Sequence, residues 1–186
     1  MSPILGIYAS QISGHLSTNN YSSIQTVTVG SGGASSITFS SIPSTYTHLQ
    51  LRGISRTTYV ESDDALLFQF NNDTGSNYSY HRLYGTGSSA GANGTGNSTV
   101  GVCGRPTGGS LSSGIFGATV MDILDYANTS KYKTTRTLAG WDGNGSGMFD
   151  YESSSWQNTS AITSIKLTMG SGNFDQYSSF ALYGVK

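Results

Sequence analysis

Between Ile24 and Arg56 the chain runs through three short segments in which apolar and small polar residues alternate. Val27 and Val29 belong to the first, Ile37 and Phe39 to the second, Leu49 and Leu51 to the third. The turn formers Gly30 to Gly33 separate the first two, and Pro43-Ser44 helps to separate the second from the third. A period of two bounded by such turns can bury one face only as a strand, so this stretch predicts antiparallel sheet. No residue in it is placed to do chemistry.

The same pattern recurs downstream. Leu66, Phe68 and Phe70 alternate in ALLFQFN, and YSYHRLY follows over Tyr78–Tyr84 after the turn-forming run Asn71 to Asn77. Ile115 to Asp125 is the most apolar candidate. Phe116, Ala118 and Val120 fall on one side and Met121 and Ile123 on the other, which predicts a central strand covered on both faces. Tyr132–Trp141, Ile165–Met169 and Phe180–Gly184 complete nine or ten strands. Turn spacing of this kind predicts an all-β, jelly-roll-like antiparallel sandwich, and the lack of a βαβ rhythm argues against a parallel sheet.

Composition agrees with a packed domain. Of 186 residues only 10% are charged, while 25 are Gly and 21 are aromatic (12 Tyr, 7 Phe and 2 Trp). Disordered chains combine high net charge with few aromatics, the opposite of this balance. The net charge of −1 supplies no long-range attraction to nucleic acid or an anionic membrane. Cys103 is the single cysteine, so no intramolecular disulfide forms and stability rests on packing and assembly.

Residues 1–23 read as an arm and linker, and residues 24–186 as one sandwich domain. Ile4, Leu5, Ile7 and Tyr8 make the arm apolar, with Ile12 and Leu16 behind them, and Ser17 to Ser23 is a linker by composition. The arm either completes the sandwich as a first strand or docks on a neighbouring subunit or shell. Its start has no basic region, and Gly6 and Ser10 interrupt its apolar run, so it predicts neither a signal peptide nor a membrane span. Residues 85–114, rich in Gly, Ser, Thr and Asn around a Val100–Val102 island, predict a long exposed loop.

The constellations that could carry chemistry are weak. Gly87-Ser88-Ser89-Ala90-Gly91 spells a hydrolase elbow, but no helix follows it. His15, His48 and His81 lack zinc-ligand spacing. Asp63, Asp64, Asp73, Asp122, Asp125 and Asp150 could supply a glycosidase pair only if the fold set two of them across a groove. Asp142-Gly143-Asn144-Gly145-Ser146-Gly147 begins like a calcium loop, yet its twelfth position is Ser153, with Glu152 one early, and the same residues are ordinary hairpin turns. The N-x-S/T sequons, from Asn72 to Asn158, follow from composition. Trp141 and Trp156 could form a sugar-stacking face or serve as packing. No catalytic residue, metal site or cofactor site is expected.

Four blocks resemble a family of tailed-bacteriophage virion proteins: PILGIYASQISG, VTVGSGGASSITFSSIPSTYTHLQLRG, VMDILDYANTSKYKTTRTLAG and SGNFDQYSSFALYGVK, in that order. The resemblance implies a structural protein of the virion, capsid-associated or in the tail, and no functional residue. The expected role is a homotrimeric capsid decoration or cement protein that docks on the major capsid protein or other virion proteins through Ile4, Leu5, Ile7 and Tyr8. The alternative is a tail-fibre or tailspike module that binds host glycan through Trp141, Trp156 and the 85–114 loop.

Overall fold

A computed structural model describes residues 20–186. Ile4, Leu5, Ile7, Tyr8 and His15 lie outside the described residues. Among the described residues, twelve strands form two antiparallel sheets that pack face to face. In chain order they are β1 (Tyr21–Thr28), β2 (Ser36–Phe39), β3 (His48–Ser55), β4 (Leu66–Phe70), β5 (Tyr78–Gly85) and β6 (Ala90–Ser98). Then come β7 (Gly101–Val102), β8 (Gly117–Leu124), β9 (Lys133–Asp142), β10 (Gly147–Trp156), β11 (Ile165–Met169) and β12 (Ser179–Val185). One sheet has eight strands in the order β1-β12-β3-β8-β9-β10-β5-β6, and the other has four in the order β2-β11-β4-β7.

The core forms where the two sheets overlap. Leu49 and Leu51 of β3, Met121 and Ile123 of β8, and Phe180 and Leu182 of β12 point down from the large sheet. Ile37, Phe39, Leu66, Phe68, Phe70, Ile165 and Leu167 rise to meet them from the small one. Each of these alternates with a more exposed neighbour, so burying one face of each strand builds the interior, at roughly 1.5–3 kcal/mol for each large side chain removed from water.

Several sequence expectations need correction. Trp156 is 1% exposed and packs against Phe70 and Tyr78, with its indole N–H donated to Asp73 Oδ2 at 2.7 Å. It is a core residue whose ring has no exposed face. The 85–114 region is not one loop, because β6 and β7 both lie in it. The Ile115–Asp125 strand is covered on one face only: Met121 and Ile123 are buried, while Val120 is exposed. β1 begins at Tyr21, inside the stretch expected to be linker. β10 had no counterpart in the apolar pattern at all.

Candidate functional site: a sheet whose polarity reverses across its width

The large sheet has eight strands and its cover has four. At about 4.8 Å per strand the cover spans only about half of the large sheet's width. The side chains record where it ends. One cross-strand row on the inner face runs Leu182, Leu51, Met121, Thr137, Glu152, Arg82 and Asn93, from β12 to β6. It starts apolar, turns to a hydroxyl on β9, is charged on β10 and β5, and ends on the Asn93 amide. The adjacent outward row runs Ala181, Arg52, Val120, Leu138, Tyr151, Leu83 and Ala92 over the same strands. It does the reverse, with its charge on β3 and its apolar residues from β8 onward.

The outward row stands in the open. Val120, Leu138, Tyr151 and Leu83 are between 37% and 60% exposed. Phe149 and Ile54, in the next row, are about half exposed as well. Between Leu83 and Tyr151 lies an apolar hollow of about 470 Å³, bordered by His81, Ala92 and Ser153. A parallel polar row, Gln50, Asp122, Arg136 and Ser153, flanks the apolar one. In it Gln50 Nε2 donates to Asp122 Oδ1 at 2.7 Å. Single exposed apolar residues are ordinary, whereas a contiguous line with a polar margin marks a contact surface.

Beneath this face is a buried ion cluster. Arg82 donates from Nε to Asp150 Oδ1 at 2.6 Å, and its guanidinium stacks 4.2 Å above the Tyr84 ring. Glu152 Oε2 accepts the Gly104 N–H at 2.6 Å. Arg105 pairs with Asp63 at 2.7 Å on the flank. Burial raises the Glu152 carboxyl from its ordinary 4.5 to about 7, and the Asp150 charge beside it adds to the shift. Burial also raises Asp150, against the pull of Arg82. Asp150 and Glu152 are therefore one pair of carboxylates that the fold brings together. They are neighbours on one face of a single strand, both buried, and Arg82 bonds Asp150 directly. That is an internal ion cluster and not two acids set across an open groove. A hollow of about 270 Å³ bounded by Tyr80, Arg105, Val100 and Glu152 opens beside it.

Trp141 stays a candidate contact residue. It continues the inner face of β9 past the edge of the cover, between hollows of about 350 and 360 Å³ that also touch Thr86, Ser146 and Met148. Its Nε1 is buried without a hydrogen-bond partner. The neighbouring Asp142–Gly147 segment is the β9–β10 hairpin turn, with Asn144 and Gly145 at positive φ and Asp142 Oδ1 accepting the Asn144 N–H at 2.8 Å. Glu152 sits five residues into β10 from Gly147, roughly 17 Å along the strand and inside the sheet, so it cannot close a calcium loop there. Among the described residues no three His, Cys, Asp or Glu side chains are grouped to hold a metal. Asp125 donates its backbone N–H to His48 Nδ1 at 3.0 Å, His81 is exposed on the outer face, and Cys103 is buried.

No family model matches the chain, and no curated protein does either. Among solved structures, the galectin LEC-6 of Caenorhabditis elegans is similar over 89% of this chain and 98% of its own length, with 10% identity and a TM-score of 0.35.

Proposed function

We propose that this chain is a non-enzymatic structural protein of a tailed-phage particle, a decoration protein that lays the outer face of its large sheet against the capsid surface. The polarity reversal carries this reading. A sheet that spends its apolar residues on the solvent side from β8 to β5, and keeps charges underneath, is built to be covered on the side that the second sheet leaves bare. Covering four half-exposed side chains of this size contributes a few kcal/mol per copy, from the ~1.5–3 kcal/mol of each fully buried one. Symmetric repetition over a shell multiplies that. The resemblance of the four sequence blocks to virion proteins supplies the class of partner, the major capsid protein. The apolar arm at Ile4, Leu5, Ile7 and Tyr8 is a second docking element in the same reading.

Copy number per particle tests this, measured by quantitative mass spectrometry against the major capsid protein. A simple ratio to the capsid subunit is expected. A handful of copies would overturn the decoration role and move the protein to the tail.

Trp141 favours a second reading, a tail module that binds host glycan. An aromatic plate between two hollows, with Thr86, Ser146, Asp142 and Asp63 around them, suits stacking and hydrogen bonding to a sugar. Loss of host-polysaccharide binding in Trp141→Ala, with the fold intact, is the outcome that would select it.

A further inference from the structure

The two sheets present four lateral edges, formed by β1, β6, β2 and β7. Three of them are poor templates for pairing. β2 has four residues and β7 has two. β1 carries a bulge between Ser23 and Gln25 that breaks its register. β6 differs. It is nine residues long, and its pairing with β5 stays in regular register from Ala90 to Thr95, with the irregularity confined to its far end.

An unpaired strand edge attracts other strands, and proteins guard such edges with lysines, prolines, inward charges or bulges. β6 reads AGANGTGNS and has none of these along its regular part. No side chain in it is larger than Asn or Thr, and nearly all of it is exposed. No described residue pairs its outer side.

We propose that two copies of this chain pair antiparallel through β6, on a two-fold axis at Ala92. In that register Ala92 meets Ala92 of the second copy, Gly91 meets Asn93, and Ala90 meets Gly94. Every opposed pair is small and neutral, so no like charges face each other. The occupant is a second copy because this register also continues the outward row. Ala92 is the last residue of the line that runs Val120, Leu138, Tyr151, Leu83. Setting Ala92 on the axis joins the two lines end to end across a sixteen-stranded sheet, and the surface described above doubles in length. An isologous contact closes after two copies and covers both β6 edges, so the joined sheet ends on the bulged β1 at either side. This inference deepens the assembly reading and relies on it for the purpose of the contact. The strand pairing is argued from the sheet alone.

The test uses the full chain. Sedimentation equilibrium of the native protein is expected to show a monomer–dimer equilibrium. Ala92→Asp, which puts two carboxylates across the axis on an exposed position, is expected to abolish the dimer while the far-ultraviolet circular dichroism of the folded chain stays unchanged. Directly opposed antiparallel residues have Cα atoms about 4.5–5.5 Å apart, within disulfide range. Ala92→Cys is therefore expected to cross-link under mild oxidation far faster than the exposed turn variant Thr129→Cys, while buried Cys103 stays inert. A native protein that is monomeric at sub-millimolar concentration, an undiminished dimer in Ala92→Asp, or equal cross-linking rates at the two positions would each overturn the proposal. Copy number on the particle is measured separately, so a tail location would sink the decoration role and leave the two-fold contact standing.

Discussion

Glu152 stands directly opposite Arg82 across the β10–β5 ladder, with its Oε1 3.8 Å from the guanidinium Nε and its other oxygen held by the Gly104 N–H. Both side chains are buried, and Asp150 shares the same arginine. One cation thus serves two carboxylates inside the protein, and the pair holds its second proton up to near neutrality. This cluster lies where the small sheet ends, on the inner side of the strands whose outer side carries the exposed apolar row.

Stability is expected to fall as pH rises through the window between 4.5 and about 7. Below 4.5 Glu152 is protonated in both the folded and unfolded chain. Above that the unfolded chain releases its proton while the folded chain keeps it, so unfolding gains with pH until the folded group titrates too. The full effect is about 3 kcal/mol at 1.36 kcal/mol per pH unit. Glu152→Gln removes the titration and keeps an acceptor for Gly104. Urea unfolding between pH 4.5 and 8 should slope downward in the native protein and lie flatter, and higher at pH 8, in the variant.

Arg82→Met is expected to destabilise strongly at pH 7, by about 3–5 kcal/mol, because it leaves Asp150 as an uncompensated buried charge. The loss should shrink in acid as Asp150 takes up a proton. Chemical denaturation at pH 7 and pH 4 checks both parts.

Leu138→Ser combined with Tyr151→Ser should leave the fold in place, since both side chains are half exposed, with a stability change of about 1 kcal/mol or less. Rebinding of the purified variant to particles stripped of this protein should be lost. Normal rebinding would show that the outer row is not the docking face.

Trp156→Ala should cost about 3–5 kcal/mol, the range for deleting a buried aromatic. It removes the contacts to Phe70 and Tyr78 and the hydrogen bond to Asp73. A ligand-binding role would predict lost binding with unchanged stability, so a thermal melt separates the two.

Calcium should not move the melting temperature. Asp142 already accepts the Asn144 N–H in the turn, and Glu152 is inside the sheet. Melts with added calcium and with chelator are expected to superimpose.

The strands that were legible in the sequence are those whose buried face is apolar. β2, β3, β4, β8, β11 and β12 alternate in the ordinary sense because each lies where the two sheets overlap and has one face covered by the opposing sheet. β10 escaped because its buried positions are Asp150, Glu152, Ser154 and Trp156, while Phe149 and Tyr151 face out. Its alternation is regular but inverted, and a search for inward apolar residues passes over it. β6 escaped for a different reason. Nine residues of Gly, Ala, Asn, Thr and Ser are turn formers by propensity, and only the ladder to β5 makes them a strand. Trp141 and Trp156 were indistinguishable in sequence, since both sit in strands next to polar residues. Burial separates them, because Trp156 lies under the small sheet and Trp141 lies past its edge.

The sequence by itself determined an all-β chain built from short antiparallel strands, because period-two patterning and turn residues are local properties that survive without knowledge of partners. It also determined that one cysteine and little charge leave packing as the source of stability. Only the tertiary structure decided that the strands divide eight and four, and everything about the candidate surface follows from that division. A strand's pattern states which residues differ in polarity, while the width of the opposing sheet decides which of its two faces is inside.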